Sequence, residues 1–157
     1  MTFQTTVNQS LANGVAGDYV DDSPRRDTGY ILIGNDTQNP AVGAAFTLNG
    51  EDGQAQIGGD GGFAGILVNS KMYTNYNNLT AGLELPSGSQ GSLCTMGHIY
   101  VTSATAFEPG YIAAFDTTTG AISAYEDSTS AEGTVIDNAK FIGYSGGAGT
   151  VGILQLG

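Results

Sequence analysis

Only one cysteine, Cys94, occurs in the sequence. No internal disulfide can form, so nothing ties the chain to an oxidising compartment. With a single histidine, His98, there are too few soft ligands for a structural zinc site. Basic residues are scarce as well: 4 Lys plus Arg against 15 Asp plus Glu, a formal net charge of −11. Binding to DNA or RNA phosphates takes clusters of Lys and Arg, so no nucleic-acid partner is expected. The same shortage argues against an anionic membrane surface. No apolar run approaches the length of a transmembrane helix. Tryptophan is absent, which weakens the case for a sugar-binding cleft.

Glycine is abundant instead, at 25 residues, among many Thr, Ser and Asn. Glycines at this density mark turns, bulges and close strand packing rather than helices. Short apolar runs lie between them. Thr28–Gly34, Val42–Asn49 and Phe63–Asn69 read as strands, with Lys71–Tyr76 a candidate continuation of the third. Gly50–Asp60 reads as a loop, and Gly58–Gly62 as the most flexible stretch of the body. Leu93–Met96 and Gly97–Thr102 read as two further strands. Tyr111–Asp116 and Ala121–Tyr125 flank Thr117-Thr118-Thr119-Gly120, a β-hairpin with a four-residue loop. Ser128–Gly133 is a loop, and Lys140–Tyr144 and Val151–Leu156 close the chain. No segment carries a convincing helical stripe of eleven residues or more. The expected fold is all-β: a single β-sandwich, jelly-roll-like, or barrel domain of short Gly-rich strands over residues 28–157.

Residues 1–27 read differently. They are polar, broken by Gly14, Gly17 and Pro24, and carry sparse apolar side chains: Phe3, Val7, Leu11, Val15, Tyr19 and Val20. Phe3, Val7 and Leu11 have helical spacing, but the Thr, Asn and Ser between them are poor helix formers. An extended N-terminal arm is expected. No basic region leads into a continuous apolar stretch, so it does not read as a signal peptide. Ordering each backbone residue costs about 1–2 kcal/mol. A hydrogen bond returns about 1 kcal/mol net, and a buried apolar anchor contributes about 1.5–3 kcal/mol. Backbone pairing alone therefore leaves the arm a disordered tail; anchors seated on a partner would order it. Arg25 and Arg26, half of the basic residues, either pair with the neighbouring aspartates or reach a neighbouring subunit.

Chemistry-bearing constellations are weak. Cys94 and His98 could form a dyad, but the sequence offers no third group to orient it. If Ile99 and Val101 face the core, His98 faces away from it with Tyr100. Gly147-Ala148-Gly149-Thr150-Val151-Gly152 fits G-x-G-x-x-G, yet the residues after it read as a strand, whereas a dinucleotide site needs a helix. Asp36, Glu51, Asp52 and Asp60 lie in loops without the calcium-loop frame. No catalytic residue, cofactor, metal or small-molecule substrate is expected.

Four stretches resemble the structural cement, or decoration, proteins of tailed-bacteriophage capsids. The opening FQTTVNQSLANGVAGDYVDDSPR is similar to that family's N-terminal segment, with its FQTxVN start and a VAGD running to a PR. GGDGGFAGILVNSKMYT resembles its Gly-Phe strand, although Lys71 stands where the family often carries Arg. GSLCTMGHIYVTSATAFEPGYIAAFDTTTGAI and the terminal NAKFIGYSGGAGTVGILQLG resemble its later strands. The resemblance implies a non-enzymatic virion protein, made in the host cytoplasm and placed on the outer capsid surface. Its implied partner is the major capsid protein, at junctions between subunits, and it is implied to be a homo-oligomer, dimer or trimer. On that reading the arm residues Phe3, Val7, Leu11, Val15, Tyr19, Arg25 and Arg26 are the candidate capsid contacts. A different class stays open beside it: a receptor-binding or adhesin-type head recognising a cell-surface glycan through the Asn75–Asn78 region. A small β-barrel hydrolase is the third reading.

Overall fold

The computed structural model of the protein describes residues 14–71 and 84–157. Nine strands follow in order: β1 Arg26–Ile33, β2 Ala45–Leu48, β3 Gln54–Ile57, β4 Phe63–Leu67, β5 Ser89–Thr102, β6 Ile112–Phe115, β7 Ile122–Tyr125, β8 Thr134–Ile142 and β9 Val151–Leu156. No helix occurs among the described residues. The expected all-β class holds, and its form is a closed five-stranded barrel with a second sheet attached.

The barrel runs β1-β3-β2-β4-β5 and closes where β1 pairs antiparallel with β5. The pairing of β1 with β3 is parallel. Alternation sets the inside: Leu32, Phe46, Ala55, Ile57, Leu67 and Leu93 are all buried and pack together. Closure removes the strand edges that an open sheet of this size would leave.

β5 belongs to both halves of the molecule. Its first part, Ser89 to Met96, faces β1, and its last part, Gly97 to Thr102, pairs with β9. The second sheet then continues β5-β9-β8-β6-β7. Ile99, Val101, Phe107, Phe115, Ile122, Phe141, Leu154 and Leu156 fill the second core, with the rings of Phe107 and Phe141 stacked at 5.0 Å. The expected break between Leu93–Met96 and Gly97–Thr102 is not a break in the strand. Gly97 sits at φ +127°, which favours glycine, and lets one continuous strand turn from the barrel into the sheet. A register shift opposite Arg26 and Asp27 accompanies the turn.

Two further expectations are corrected. Gly50–Asp60 is not all loop: Gln54–Ile57 is the barrel strand β3, with Ala55 and Ile57 buried and the two glutamines turned outward. The strand that closes on Ile142 begins at Thr134, not Lys140; its polar Asp137-Asn138, with Asn138 at φ +58°, hides it in the sequence. The hairpin of β6 and β7 forms as expected. Its loop is held by the Asp116 carboxylate, which accepts from the N–H groups of Thr118 and Thr119 at 2.7 and 2.8 Å. These bonds hold the carboxyl of Asp116 below its ordinary range.

β7 would leave a free edge, but residues after β5 cover it. Ser103 bridges Ile122 in parallel, and Ala104 N–H donates to Ile122 C=O at 2.8 Å. The Thr105 hydroxyl then accepts from Ala124 N–H and donates to Ala124 C=O, each at 2.8 Å. One side chain thereby does the pairing of a neighbouring strand residue.

Candidate functional site

Of the arm expected at residues 1–27, the structure describes residues 14–27. Phe3, Val7 and Leu11 lie outside the described residues, as do Tyr76, the Asn75–Asn78 region and most of the Lys71–Tyr76 continuation. From Gly14 onward the segment lies on its own chain. Gly17 N–H donates to Tyr100 C=O at 2.8 Å, Tyr100 N–H to Asp18 C=O at 2.9 Å, and Val20 N–H to His98 C=O at 3.0 Å. Tyr19 stands opposite Ile99 as in an antiparallel strand. Residues 17–20 thus flank β5 on the edge that β9 leaves open. Asn69 N–H donates to Gly17 C=O at 2.8 Å from the other side.

Side chains fix this root of the arm. Tyr19 shares the core-facing side with Ile99 and packs against the second core. Its hydroxyl donates to the Asp27 carboxylate. Burial first, and that bond second, raise the Tyr19 phenol well above its usual range. The guanidinium of Arg25 lies 4.3 Å from the Tyr19 ring centre, a cation–π arrangement. Neighbouring positions face outward: Lys71 Nζ meets Asp18 Oδ2 at 3.1 Å, and His98 Nδ1 meets Asp21 Oδ2 at 2.9 Å. The bond to His98 is the main reason that the carboxyl of Asp21 falls to about 2. Space is tight at Gly17, where a Cβ would lie 2.2 Å from Val42 Cγ1 on a backbone at φ +86°.

β1 begins at Arg26, so the division expected between residues 27 and 28 falls inside a strand, with Asp27 paired to Cys94. Tyr19 anchors the chain to itself. Val15 is 52% exposed at the start of the root, and Arg25 and Arg26 are exposed. Neither arginine has a carboxylate within ion-pair distance among the described residues; Arg25 finds an aromatic ring instead.

Cys94 and His98 do not meet as a dyad. The Cys94 thiol is fully buried, donates to Met96 C=O at 3.2 Å, and is pushed by burial up to about 11. His98, placed away from the core with Tyr100 as its alternation predicts, is engaged with Asp21. A thiol so held is a poor nucleophile at neutral pH. The G-x-G-x-x-G stretch runs directly into β9, so no helix N-terminus is there to hold a pyrophosphate. Nothing in the sequence announced the root's side-chain pairs. Tyr19 and Asp27, or Asp21 and His98, become neighbours only once residues 17–20 lie along β5.

Comparison with known proteins gives a consistent picture. Residues 3–157 match the family described as structural cement protein (E217 gp24/Pam3 gp6). No curated protein matches the chain. Among solved structures, a chain from the capsid of Myoviridae phage XM1 superposes with a TM-score of 0.67 at 18% identity, over 99% of this chain and 98% of that one. At that identity the likeness speaks for the fold, and it extends over both the barrel and the second sheet. Because the family match spans the arm, its root and both halves of the body, the chain belongs to the structural cement protein family.

Proposed function

We propose that this chain is a non-catalytic cement protein that sits on the outer surface of a phage capsid, at junctions between major capsid subunits, and stiffens the shell. The observation that carries the reading is the family match across residues 3–157. The architecture supports it. A closed barrel and a sheet with a covered far edge give a stiff body, and stiffness is what a reinforcing element needs. The arm, residues 1–27, is held to β5 by the bonds of Gly17, Asp18 and Val20. Phe3, Val7 and Leu11 are its anchors, seated in apolar pockets of a neighbouring capsid subunit and joined by Val15 at the root. Arg25 and Arg26 contribute exposed positive charge beside it.

Copies acting together at one junction, as a dimer or trimer, multiply weak contacts through effective concentration. The test is binding to capsids assembled without the protein. Phe3→Ala and Leu11→Ala each remove a buried anchor worth about 1.5–3 kcal/mol, so affinity should fall roughly tenfold or more. Arg25→Ala should cost less. Wild-type affinity in both anchor variants would refute the arm's role.

A further inference from the structure

The turn between β2 and β3 carries a reactive pair of residues. Asn49 is followed by Gly50 where the chain leaves β2. Asn49 is half-buried, and Gly50, Glu51, Asp52 and Gly53 are exposed. A Cβ at Gly50 would meet nothing within 4 Å, so no neighbour crowds its backbone. The Gly50 N–H has no hydrogen-bond partner among the described residues. The Asn49 carboxamide is held against this backbone. Its Oδ1 accepts from Glu51 N–H at 3.1 Å, and its Nδ2 donates to Gln54 Oε1 at 3.3 Å. A side chain that accepts from the N–H two residues on is folded back over the peptide between, here that of Gly50. The Glu51 bond also polarises the Cγ=O group, because a donor already aimed at the oxygen stabilises negative charge that develops there.

We propose that Asn49 is a site of spontaneous modification, at which the backbone nitrogen of Gly50 displaces ammonia from the carboxamide. The nitrogen loses its proton to solvent base and attacks Cγ. The bond from Cγ to Nδ2 then breaks, and ammonia leaves with a proton taken from water. A five-membered succinimide ring joins the two residues. Water reopens the ring at either carbonyl, giving aspartate, or isoaspartate with the backbone routed through Cγ. Water is the only co-reactant. The reaction goes beyond the cement reading and does not depend on it.

Two other asparagines share the folded geometry and differ at the next residue. Asn35 Oδ1 accepts from Thr37 N–H at 3.0 Å, and Asn69 Oδ1 accepts from Lys71 N–H at 3.2 Å. They precede Asp36 and Ser70, whose side chains branch beside the attacking nitrogen and hinder its approach. Glycine at position 50 has no such side chain. Either product places a new negative charge beside Glu51 and Asp52. Isoaspartate also lengthens the backbone at the end of β2. Leu48 stands opposite Ala55, and Gly53 C=O accepts from Ile31 N–H at 2.8 Å, so the longer turn strains the pairing of β3 with both β2 and β1.

Ageing the intact protein at physiological temperature, over a series of mildly alkaline pH values, tests this. Tryptic digestion and tandem mass spectrometry should find a gain of one mass unit at Asn49, about tenfold or more faster than at Asn35 or Asn69. Cleavage after Arg26 keeps Asn13, which also precedes a glycine, in a separate peptide. The mass gain separates the reaction from rearrangement of Asp52 before Gly53, which changes no mass. The rate should rise about tenfold per unit of pH, because the deprotonated nitrogen is the attacker. It should lie within about tenfold of the rate in a synthetic peptide of residues 45–53, since an open turn gives little protection. Asn49→Gln, whose reaction would need a six-membered ring, should show no gain at position 49. Amide exchange at Ile31 should quicken on ageing in wild type and stay constant in Asn49→Gln. Unchanged mass at Asn49, a rate no faster than at Asn35 or Asn69, or one more than about tenfold below the peptide's overturns the proposal. Unchanged exchange at Ile31 in the converted protein overturns its effect on the barrel.

Discussion

Thr105→Val removes a single oxygen at the place where the second sheet ends. The hydroxyl of Thr105 makes two bonds of 2.8 Å to the N–H and C=O of Ala124, and no strand lies beyond β7 in the sheet to replace them. Valine keeps the branched shape, so packing changes little and the polar loss stands alone. Two net hydrogen bonds are worth about 1 kcal/mol each, and a backbone group left unpaired in a part-buried place costs about 1–3 kcal/mol. Thr105→Val should therefore destabilise the fold by about 2–3 kcal/mol. For a chain of this size that lowers the melting temperature by roughly 2–4 °C per kcal/mol, or roughly 4–12 °C in all. Thr105→Ser keeps the oxygen and should stay within about 2 °C of wild type, since surface changes that spare such bonds are small. Differential scanning calorimetry on the three proteins reads the effect directly. If Thr105→Val melts with wild type, or if Thr105→Ser falls as far, the hydroxyl is not what closes the edge. An opened β7 should also pair with other chains, so aggregation in the folded baseline should rise in the valine variant alone.

Two other outcomes bear on the root of the arm. Gly17→Val places a branched side chain where a Cβ alone would already lie 2.2 Å from Val42, at φ +86°, and should detach residues 14–20; faster amide exchange at Tyr100 and Val20 would show it, and unchanged exchange would refute it. The Asp21 carboxyl is depressed to about 2 by its bond to His98, so the clip it forms is fully present above the ordinary carboxylate range. It is lost as pH falls through about 2, and limited proteolysis of the root should accelerate over that window in wild type but show no such step in Asp21→Asn.

Much of the fold is readable in the residues because burial alternates where the strands are strongly apolar. β4, β6, β7 and β9 lie where short runs between glycines placed them. β3 escaped because its outward positions are Gln54 and Gln56, which gave the segment the look of a loop. The first part of β8 escaped for the same kind of reason, through Asp137 and Asn138 on its exposed side. β5 was divided in two because glycine breaks a sequence pattern more reliably than it breaks a strand. The arm shows the deeper limit. Residues 14–20 are not extended throughout, since Asp18 N–H donates to Val15 C=O at 3.0 Å across a turn at Ala16 and Gly17, and whether such a segment lies on its own chain or on another depends on an open edge elsewhere. Here the edge is the far side of β5 at His98–Tyr100, and only the assembled sheet reveals that it is vacant for residues 17–20. Tyr19 and Arg25, both expected among the capsid contacts, also have partners within the chain.

The most direct test is a cryo-electron microscopy reconstruction of the mature particle. The account predicts density for the two-part β body on the outside of the shell at joints between major capsid subunits. It further predicts that the N-terminal arm runs over a neighbouring capsid subunit, with Phe3, Val7 and Leu11 buried in it. A body inside the shell or missing from it, or an arm folded back along its own barrel, would contradict it.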